Sequence, residues 1–487
     1  MSKFEVIEFF ERPSESNYQL LPFSFDRLDG EKYILTNQAG EYITMDRMYL
    51  DKFINKKLSS TSQEYIKLRS RQFLLDETNS IAPELLALKV RTKYSRLSEF
   101  TSLHIFVVSL RCEHSCPYCQ VSRQSEDKSA FDMSRDVALK SLDMVFRSPA
   151  EAVKIEFQGG EPLLNFDLIK FVVAEARRRN IEFKKNLGFV IATNLALVNR
   201  EILAFCKEND VLISTSLDGP RDLHNHNRPR PGKNSYEKAI EGINLAREIL
   251  GKYSVSALMT TTEASLSRPI EIIDEYLAHG FNGIFLRSLS PYGFAIKTKT
   301  YRAYKTAEWL EFYKKGLDYI IQLNKQGIPF QEYYATTILV KMLTSREPGY
   351  VDLMSPSGMG IAAVVYNYDG TVHPSDESRM LAEMGDNTFK MGNVLTDTYE
   401  EIFTSEALLN PLEESITKSV PMCHECAFEP YCGSEPVYHH ALHGDFVARK
   451  AESDFCSKNM AIFKLLISLM EEDPFVKSLF MRWANKT

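Results

Sequence analysis

Two rhythms of apolar and polar residues divide the chain. Over residues 20–45, "LLPFSFDRLDGEKYILTNQAGEYITM", apolar and polar positions alternate, with Asp29-Gly30 between two runs and Gly40 before a third. A two-residue period broken by such turns predicts a small antiparallel sheet. "DRMYLDKFINKKL" and "STSQEYIKLRSRQFL" then place their apolar residues at helical spacing, so a β-β-β-α-α order is expected before residue 80.

From about residue 102 short apolar runs alternate with amphipathic stretches. The expected strands are "SLHIFVVSL", "VKIEFQ", "GFVIAT", "VLISTSL", "YSVSALMTTTE" and "GIFLRSL", with helices around 134–148, 166–180, 199–210, 235–250 and 269–280. Near-continuous apolar strands separated by helices indicate βα units on a parallel sheet buried on both faces. Six such units fit a partial or full barrel, whose chemistry belongs on the loops at the strand C-terminal ends. After a long helix at about 304–325 the pattern becomes irregular: "GIAAVVYNYDGTVHPSD" predicts a hairpin turning at Asp369-Gly370, and 420–456 is held by cysteines more than by an apolar stripe. The tail, "NMAIFKLLISLMEEDPFVKSLFMRW", predicts one amphipathic helix packed on the core. The expected class is α/β: a partial (β/α)6 TIM-like barrel over 98–325, preceded by a small β-β-β-α-α domain over 1–97 and followed by an irregular domain over 326–487.

Composition narrows the setting. With 487 residues, 44% of them hydrophobic, the chain has ample core for two or three domains. A formal net charge of −7 argues against a nucleic-acid-wrapping surface. The start, "MSKFEVIEFFERPSESN", scatters acidic residues among its apolar ones, unlike a signal peptide, and no run reaches the roughly 20 apolar residues of a membrane span. A cytoplasmic, reducing environment is expected, in which the eight cysteines serve as metal ligands or core residues and not as disulfides.

Those cysteines fall into two groups. Cys112, Cys116 and Cys119, in "SLRCEHSCPYCQVSR", directly follow the first barrel strand. Three thiolates are one ligand short of a closed site; a distant His would complete zinc, whereas a [4Fe–4S] cluster would keep one iron open for an exogenous ligand. Cys423, Cys426, Cys432 and Cys456 form a second set, and four thiolates can close a zinc ribbon or hold a cluster. Cys206 lies on a helix beside Leu203 and Phe205 and is expected to be a small core residue. His439, His440 and His443 follow the second set and are expected to be solvated, with substrate contact as the alternative.

C-x3-C-x2-C with an aromatic before the last Cys, Tyr118, resembles the signature of radical S-adenosylmethionine enzymes. The resemblance implies that the methionyl amine and carboxylate of S-adenosylmethionine chelate the open iron. It extends to "FQGGEP" (Gln158, Gly159, Gly160, Glu161), to "ATN" with Thr193, and to "SLDGPRDLHNHNR" with Ser216 and Asn225, each after an expected strand. These residues, Tyr118 and Arg287 are the implied cofactor contacts; Arg287 could instead hold a substrate carboxylate.

The second cysteine set resembles the SPASM extension of peptide-modifying relatives, whose full form holds two auxiliary [4Fe–4S] clusters. Here Pro436, Ser357 and Ser375 stand where that pattern has further cysteines, all of them ligands of its first auxiliary cluster. Two clusters are therefore expected in this chain, one at the cofactor site and one auxiliary. Asp376, directly after Ser375, is the implied base or substrate anchor.

"LPFSFDRLDG", "IFLRSLSPYGFA" and "YNYDGTVHPSDESRML" narrow the resemblance to the first of the paired radical maturases of His-Xaa-Ser peptide systems. This implies a metal-binding oxidoreductase that abstracts hydrogen from a residue of a ribosomally made peptide through a 5′-deoxyadenosyl radical. It implies a winged-helix-like N-terminal domain that captures a peptide leader, a second radical maturase and an external electron donor as partners, and neither nucleic acid nor membrane. Two alternatives stay open: oxidation of a protein side chain or small molecule in the manner of sulfatase maturases, and a non-catalytic peptide-binding scaffold for a paired enzyme.

Overall fold

A computed structural model describes residues 18–121, 123–297, 301 and 304–486. The stretch 1–17 that argued against a signal peptide lies outside them.

At the N-terminus β1 (Tyr18–Leu20) is followed by β2 (Phe23–Asp29), β3 (Lys32–Asn37) and β4 (Tyr42–Asp46), the last three forming an antiparallel sheet in the order β2-β3-β4. The register sets Leu35 opposite Ile43 on the buried face. Helices Arg47–Ile54 and Gln63–Ser70 cover it with Phe53 and Leu68, and β5 (Leu74–Asp76) pairs back onto β1, closing a separate small core. Helix Ala82–Tyr94 leads out of it.

Five parallel strands follow: β6 (Leu103–Ser109), β7 (Ala152–Gly159), β8 (Asn186–Ala192), β9 (Val211–Ser216) and β10 (Val255–Leu258). The helices between and after them, Arg135–Arg147, Phe166–Phe183, Arg200–Glu208, Ser235–Leu250 and Pro269–Ala278, fall where the apolar spacing places them. The sixth unit departs from the expectation. Only β11 (Gly283–Ile284) forms, and it pairs with β12 (Gln331–Glu332) outside the main sheet. The cause is a side chain that takes a strand's place: buried Glu332 accepts the Leu286 N–H at 3.0 Å, together with the Tyr313 hydroxyl and the Ala335 N–H, each at 2.6 Å. One backbone bond, Thr261 N–H to the Arg287 carbonyl at 3.0 Å, still ties this segment to the chain leaving β10.

The other edge of the sheet is extended instead. The hairpin expected at Asp369-Gly370 is β13 (Ala363–Tyr366) and β14 (Thr371–His373); β13 lies parallel to β6, and β15 (Gly392–Asn393) completes an eight-stranded sheet. The tail is two helices, Asp454–Glu472 and Pro474–Lys486. Pro474 lacks the N–H to continue the first, and Asp473 restarts the second by accepting the Phe475 N–H at 2.8 Å. The barrel and the C-terminal region share one continuous core. No helix among the described residues is long and apolar enough to cross a membrane.

The N-terminal module is stitched to the second cysteine set. Tyr431, fully buried between Cys426 and Cys432, donates its hydroxyl to the Gly40 carbonyl at 2.7 Å, and Lys93 Nζ donates to the Pro430 carbonyl at 2.6 Å. Lys464 on the tail adds an ion pair to Asp26 at 2.8 Å.

Candidate functional site

The loop carrying Cys112, Cys116 and Cys119 leaves the C-terminal end of β6 and is held from below. Arg111, 4% exposed, donates through Nε and Nη2 to the two carboxylate oxygens of Asp132, each at 2.7 Å, and Ser109 Oγ donates to the same Asp132 at 2.7 Å. A planar fork on a carboxylate fixes direction as well as distance. The β7 end is pressed onto this loop: Gly160 and Glu161 donate their N–H groups to the carbonyls of Ser109 and Arg111 at 2.8 and 2.7 Å. A Cβ on Gly160 would overlap the Arg111 carbonyl and stand 2.7 Å from that of Leu110. The Gly160 residue expected to admit a ligand thus admits the backbone of the cysteine loop. On the opposite flank Phe294 N–H donates to the Cys119 carbonyl at 2.7 Å, beside Gly293 at φ +59°, where any side chain would meet Gln120.

The residues after β7, β8 and β9 converge on one another. Glu161, fully buried, accepts Thr193 Oγ1 at 2.6 Å, Leu163 N–H at 3.0 Å and Asn194 N–H at 2.9 Å. Burial, reinforced by the nearby Glu113 charge, pushes its carboxyl up to about 7. Tyr118 donates its hydroxyl to Asp218 at 2.6 Å, while Arg228 grips both oxygens of Asp218 at 3.0 and 3.1 Å and stacks over the Tyr118 ring. Burial works against the Asp218 charge, yet Arg228 and then His224 hold its carboxyl below the usual range. Asp132, Asp218 and Arg228 were not singled out in the sequence, although the last two lie within the motif quoted from the β9 loop. The signal was a charge pair ten residues apart. Asn225 sits on a short helix and accepts the Tyr236 N–H at 2.9 Å, and Gln158 Nε2 is buried without a hydrogen-bond partner.

Burial raises the Cys112 and Cys116 thiols, the latter to about 12, so a bound cation is what would hold them as thiolates. Only Cys112, Glu113 and His114 bring ligand atoms within 4.8 Å of one another among the described residues. Glu113 and His114 are already bound into a chain with Asn194, at 3.0 Å to each, and with Ser235 at 2.8 Å from His114 Nε2. No three thiols approach within that distance among the described residues. A tetrahedral zinc with bonds of about 2.3 Å would draw its sulfurs to about 4 Å.

The second set gathers at the start of the tail. Cys456, in the first turn of helix Asp454–Glu472, faces the turns carrying Cys423, Cys426 and Cys432, and these thiols act electrostatically on one another. Lys450 Nζ lies among them, donating to Ser434 Oγ at 2.9 Å. His439 is fully buried, with Nδ1 against the Glu435 carbonyl at 2.7 Å and Nε2 against Ser453 at 3.0 Å, and His440 pairs with Asp386 at 2.8 Å; neither is the solvated residue expected. Ser375 accepts the Ser378 N–H at 3.2 Å as the N-cap of helix Asp376–Ala382, and Ser357 is buried with no hydrogen-bond partner for its hydroxyl.

A cavity of about 620 Å³ is lined by residues of the segment 288–292, which touches the chain just after the three-cysteine loop where Gln120 Nε2 donates to the Ser290 carbonyl at 3.0 Å. Its walls come from the barrel end and the C-terminal region and include Tyr292, Trp309, Asp352, Glu377, Glu435 and Lys458. Asp376 is not among them: its Oδ1 takes Arg379 Nη2 at 2.8 Å. Glu377, one residue on, faces the cavity, with Arg287 at 3.7 Å.

Residues 106–275 match the radical SAM superfamily. This part of the chain is a radical SAM domain. The family implies a [4Fe–4S] cluster and S-adenosylmethionine. The chain is 24% identical over 348 residues to the cysteine-type anaerobic sulfatase-maturating enzyme of Clostridium novyi (strain NT), covering 68% of this chain and 87% of that one. Its fold resembles that of native anSMEcpe with bound AdoMet, at TM-score 0.62 and 18% identity over 78% of this chain and 99% of the other. The same protein with AdoMet and a Cp18Cys peptide superposes at TM-score 0.60, with 17% identity, over 80% and 99%.

Proposed function

We propose that this radical SAM enzyme modifies a residue of a ribosomally made peptide. The observation that carries the proposal is the cavity beside the three-cysteine loop, walled by both the barrel end and the C-terminal region and large enough for a side chain with its flanking backbone. A related enzyme that binds AdoMet and a peptide lends it support.

On this proposal Cys112, Cys116 and Cys119 hold the cluster, and Cys423, Cys426, Cys432 and Cys456 hold one auxiliary cluster. With S-adenosylmethionine bound, the first cluster supplies one-electron cleavage of the cofactor and thereby a hydrogen-abstracting radical. The chain's own residues orient and enclose. The Arg111–Asp132 fork and the β7 end set the cysteine loop, and Tyr118, Glu161, Thr193, Ser216 and Asn225 shape the cofactor's bed. Gln158, at the end of β7, adds a buried amide nitrogen without a hydrogen-bond partner. The proton released on oxidation falls to Glu377 in place of Asp376, since Glu377 borders the cavity and Asp376 is committed to Arg379. Residues 1–97 are assigned to leader capture, with β2, an edge strand of its sheet among the described residues, as the strand a leader would extend. Residues 98–325 and 326–487 are assigned to the barrel and the auxiliary domain, and a second maturase acts beside this one.

The resemblance to sulfatase-maturating enzymes of cysteine and serine type favours a second reading, oxidation of a protein side chain. Anaerobically reconstituted protein supplied with reductant, S-adenosylmethionine and the peptide encoded beside its gene tests the first. Release of 5′-deoxyadenosine with a mass or deuterium change in that peptide is the expected result, lost in Cys112→Ala. Release of 5′-deoxyadenosine with a sulfatase peptide alone would favour the second reading, and no release with either would refute both.

A further inference from the structure

The cavity behind segment 288–292 has walls of unusual chemistry. Among the described residues Asp352, Glu377, Glu435 and Asp454 line it, against the ammonium groups of Lys305 and Lys458. Counting Arg287, paired with Glu377 from outside the lining, four carboxylates face three cations. Lys458 does not close the deficit by ion pairing. No carboxylate lies within 4.0 Å of its Nζ among the described residues; it rests over the rings of Trp309, Tyr334 and Phe455 at 5.8, 6.0 and 5.7 Å and reaches Ser288 Oγ at 3.3 Å. Glu435, 4% exposed, uses its side chain to cap helix Pro436–His443 at Tyr438. The remaining walls are aromatic, with Tyr292, Tyr304 and a Tyr301–Tyr438 pair whose hydroxyls meet at 3.1 Å.

We propose that this cavity takes a cationic side chain of the substrate peptide, an arginine or lysine, held between Glu377 and Glu435 and against the tyrosine rings. The proposal rests on the peptide reading above and names its substrate class. A guanidinium or ammonium would meet the wall carboxylates with opposite charge, and a desolvated cation gains further from aromatic faces. Supporting it, burial raises the carboxyls of Asp352, Glu377 and Glu435, and neighbouring carboxylates add to the rise at Glu377 and Glu435. Two of these carboxylates sit close to Ser375 and Pro436 in the chain. Glu377 lies in the first turn of the helix that Ser375 caps, and Glu435 immediately precedes Pro436, so these two segments bring carboxylates to the cavity.

Trp309 gives a direct readout, because it lines the cavity and the chain has only two tryptophans, the other being Trp483 in the last helix. Full-length reconstituted Trp483→Phe protein would be titrated with N-acetyl-Gly-Arg-Gly-amide and its citrulline, lysine, norleucine and glutamate counterparts while Trp309 fluorescence is followed. The expected result is binding of the Arg and Lys peptides tighter than their neutral isosteres by on the order of tenfold or more. Glu435→Gln and Glu377→Gln should erase that preference. Equal affinity for all five peptides, or tightest binding of the glutamate peptide, would overturn the proposal. The peptide comparison needs no variant in the cavity, so a misfolded glutamine variant cannot rescue the proposal. Binding is scored without turnover: a cationic preference without 5′-deoxyadenosine release would defeat the enzymatic reading alone, and release without the preference would defeat this one alone.

Discussion

The two cysteine sites are built on opposite plans. The three-cysteine loop spans eight positions, springs from the end of a central strand and is clamped by ion pairs and backbone bonds that do not involve its thiols: Arg111–Asp132 beneath it, Arg228–Asp218–Tyr118 across it, and the Gly160–Glu161 backbone along it. The four-cysteine site draws Cys423, Cys426 and Cys432 from turns and Cys456 from a helix start, with no strand among them. One site is a loop that the scaffold already fixes. The other is a region in which the thiols themselves join separate segments, so that a bound metal group contributes to folding as well as to chemistry.

That contrast can be broken experimentally. Both Cys112→Ala and Cys423→Ala should lower iron from about eight to about four per chain. Only Cys423→Ala should also lower the thermal midpoint, by several degrees, because a site that ties segments together adds to stability; equal midpoints in calorimetry would erase the distinction. Asp218→Asn, which leaves buried Arg228 without its counter-charge, should destabilise the barrel by about 3–5 kcal/mol in denaturant titrations. The wild type should show a related weakening in acid. With its folded pKa depressed, the Asp218 contribution is complete above the ordinary aspartate range and is lost as pH falls through the depressed value. Gly160→Ala, forcing a Cβ into the cysteine-loop carbonyls, should cost about 1–3 kcal/mol and loosen the three-thiol site, seen as faster iron release to a chelator. Tyr431→Phe, which leaves the Gly40 carbonyl without its donor, should cost about 1–3 kcal/mol and affect iron retention at the four-thiol site only.

The same contrast explains what could be read from the sequence. Residues 112–119 and the loops after β7, β8 and β9 were legible because local period and motif coincide: each follows an apolar strand of the length a parallel sheet demands. The sixth strand was not, because its apolar run is indistinguishable from a strand until Glu332, 46 residues away from Leu286, takes the N–H a neighbour would use. The attachment of β13 to β6 is hidden for the same reason, since strand pairing across some 260 residues leaves no local trace. At the candidate site the difference between Asp376 and Glu377 has a physical cause. Neighbouring carboxylates at a helix start look alike in sequence, and only the fold turns Asp376 back to Arg379 on its own helix and Glu377 to the cavity wall beside Arg287.

The bonds from Tyr431 to Gly40 and from Lys93 to Pro430 bear on how the N-terminal module can be handled. It is not a detachable handle. Cutting the chain near residue 97 would bare the turn between Cys426 and Cys432, so a truncated protein that failed to act on peptide would not isolate recognition from iron retention. On the function proposed above, exchanging the module for that of a relative would alter two traits together, peptide capture and iron retention at the second cysteine set. Engineers of chimeric maturases should therefore carry the 427–431 turn along with the graft.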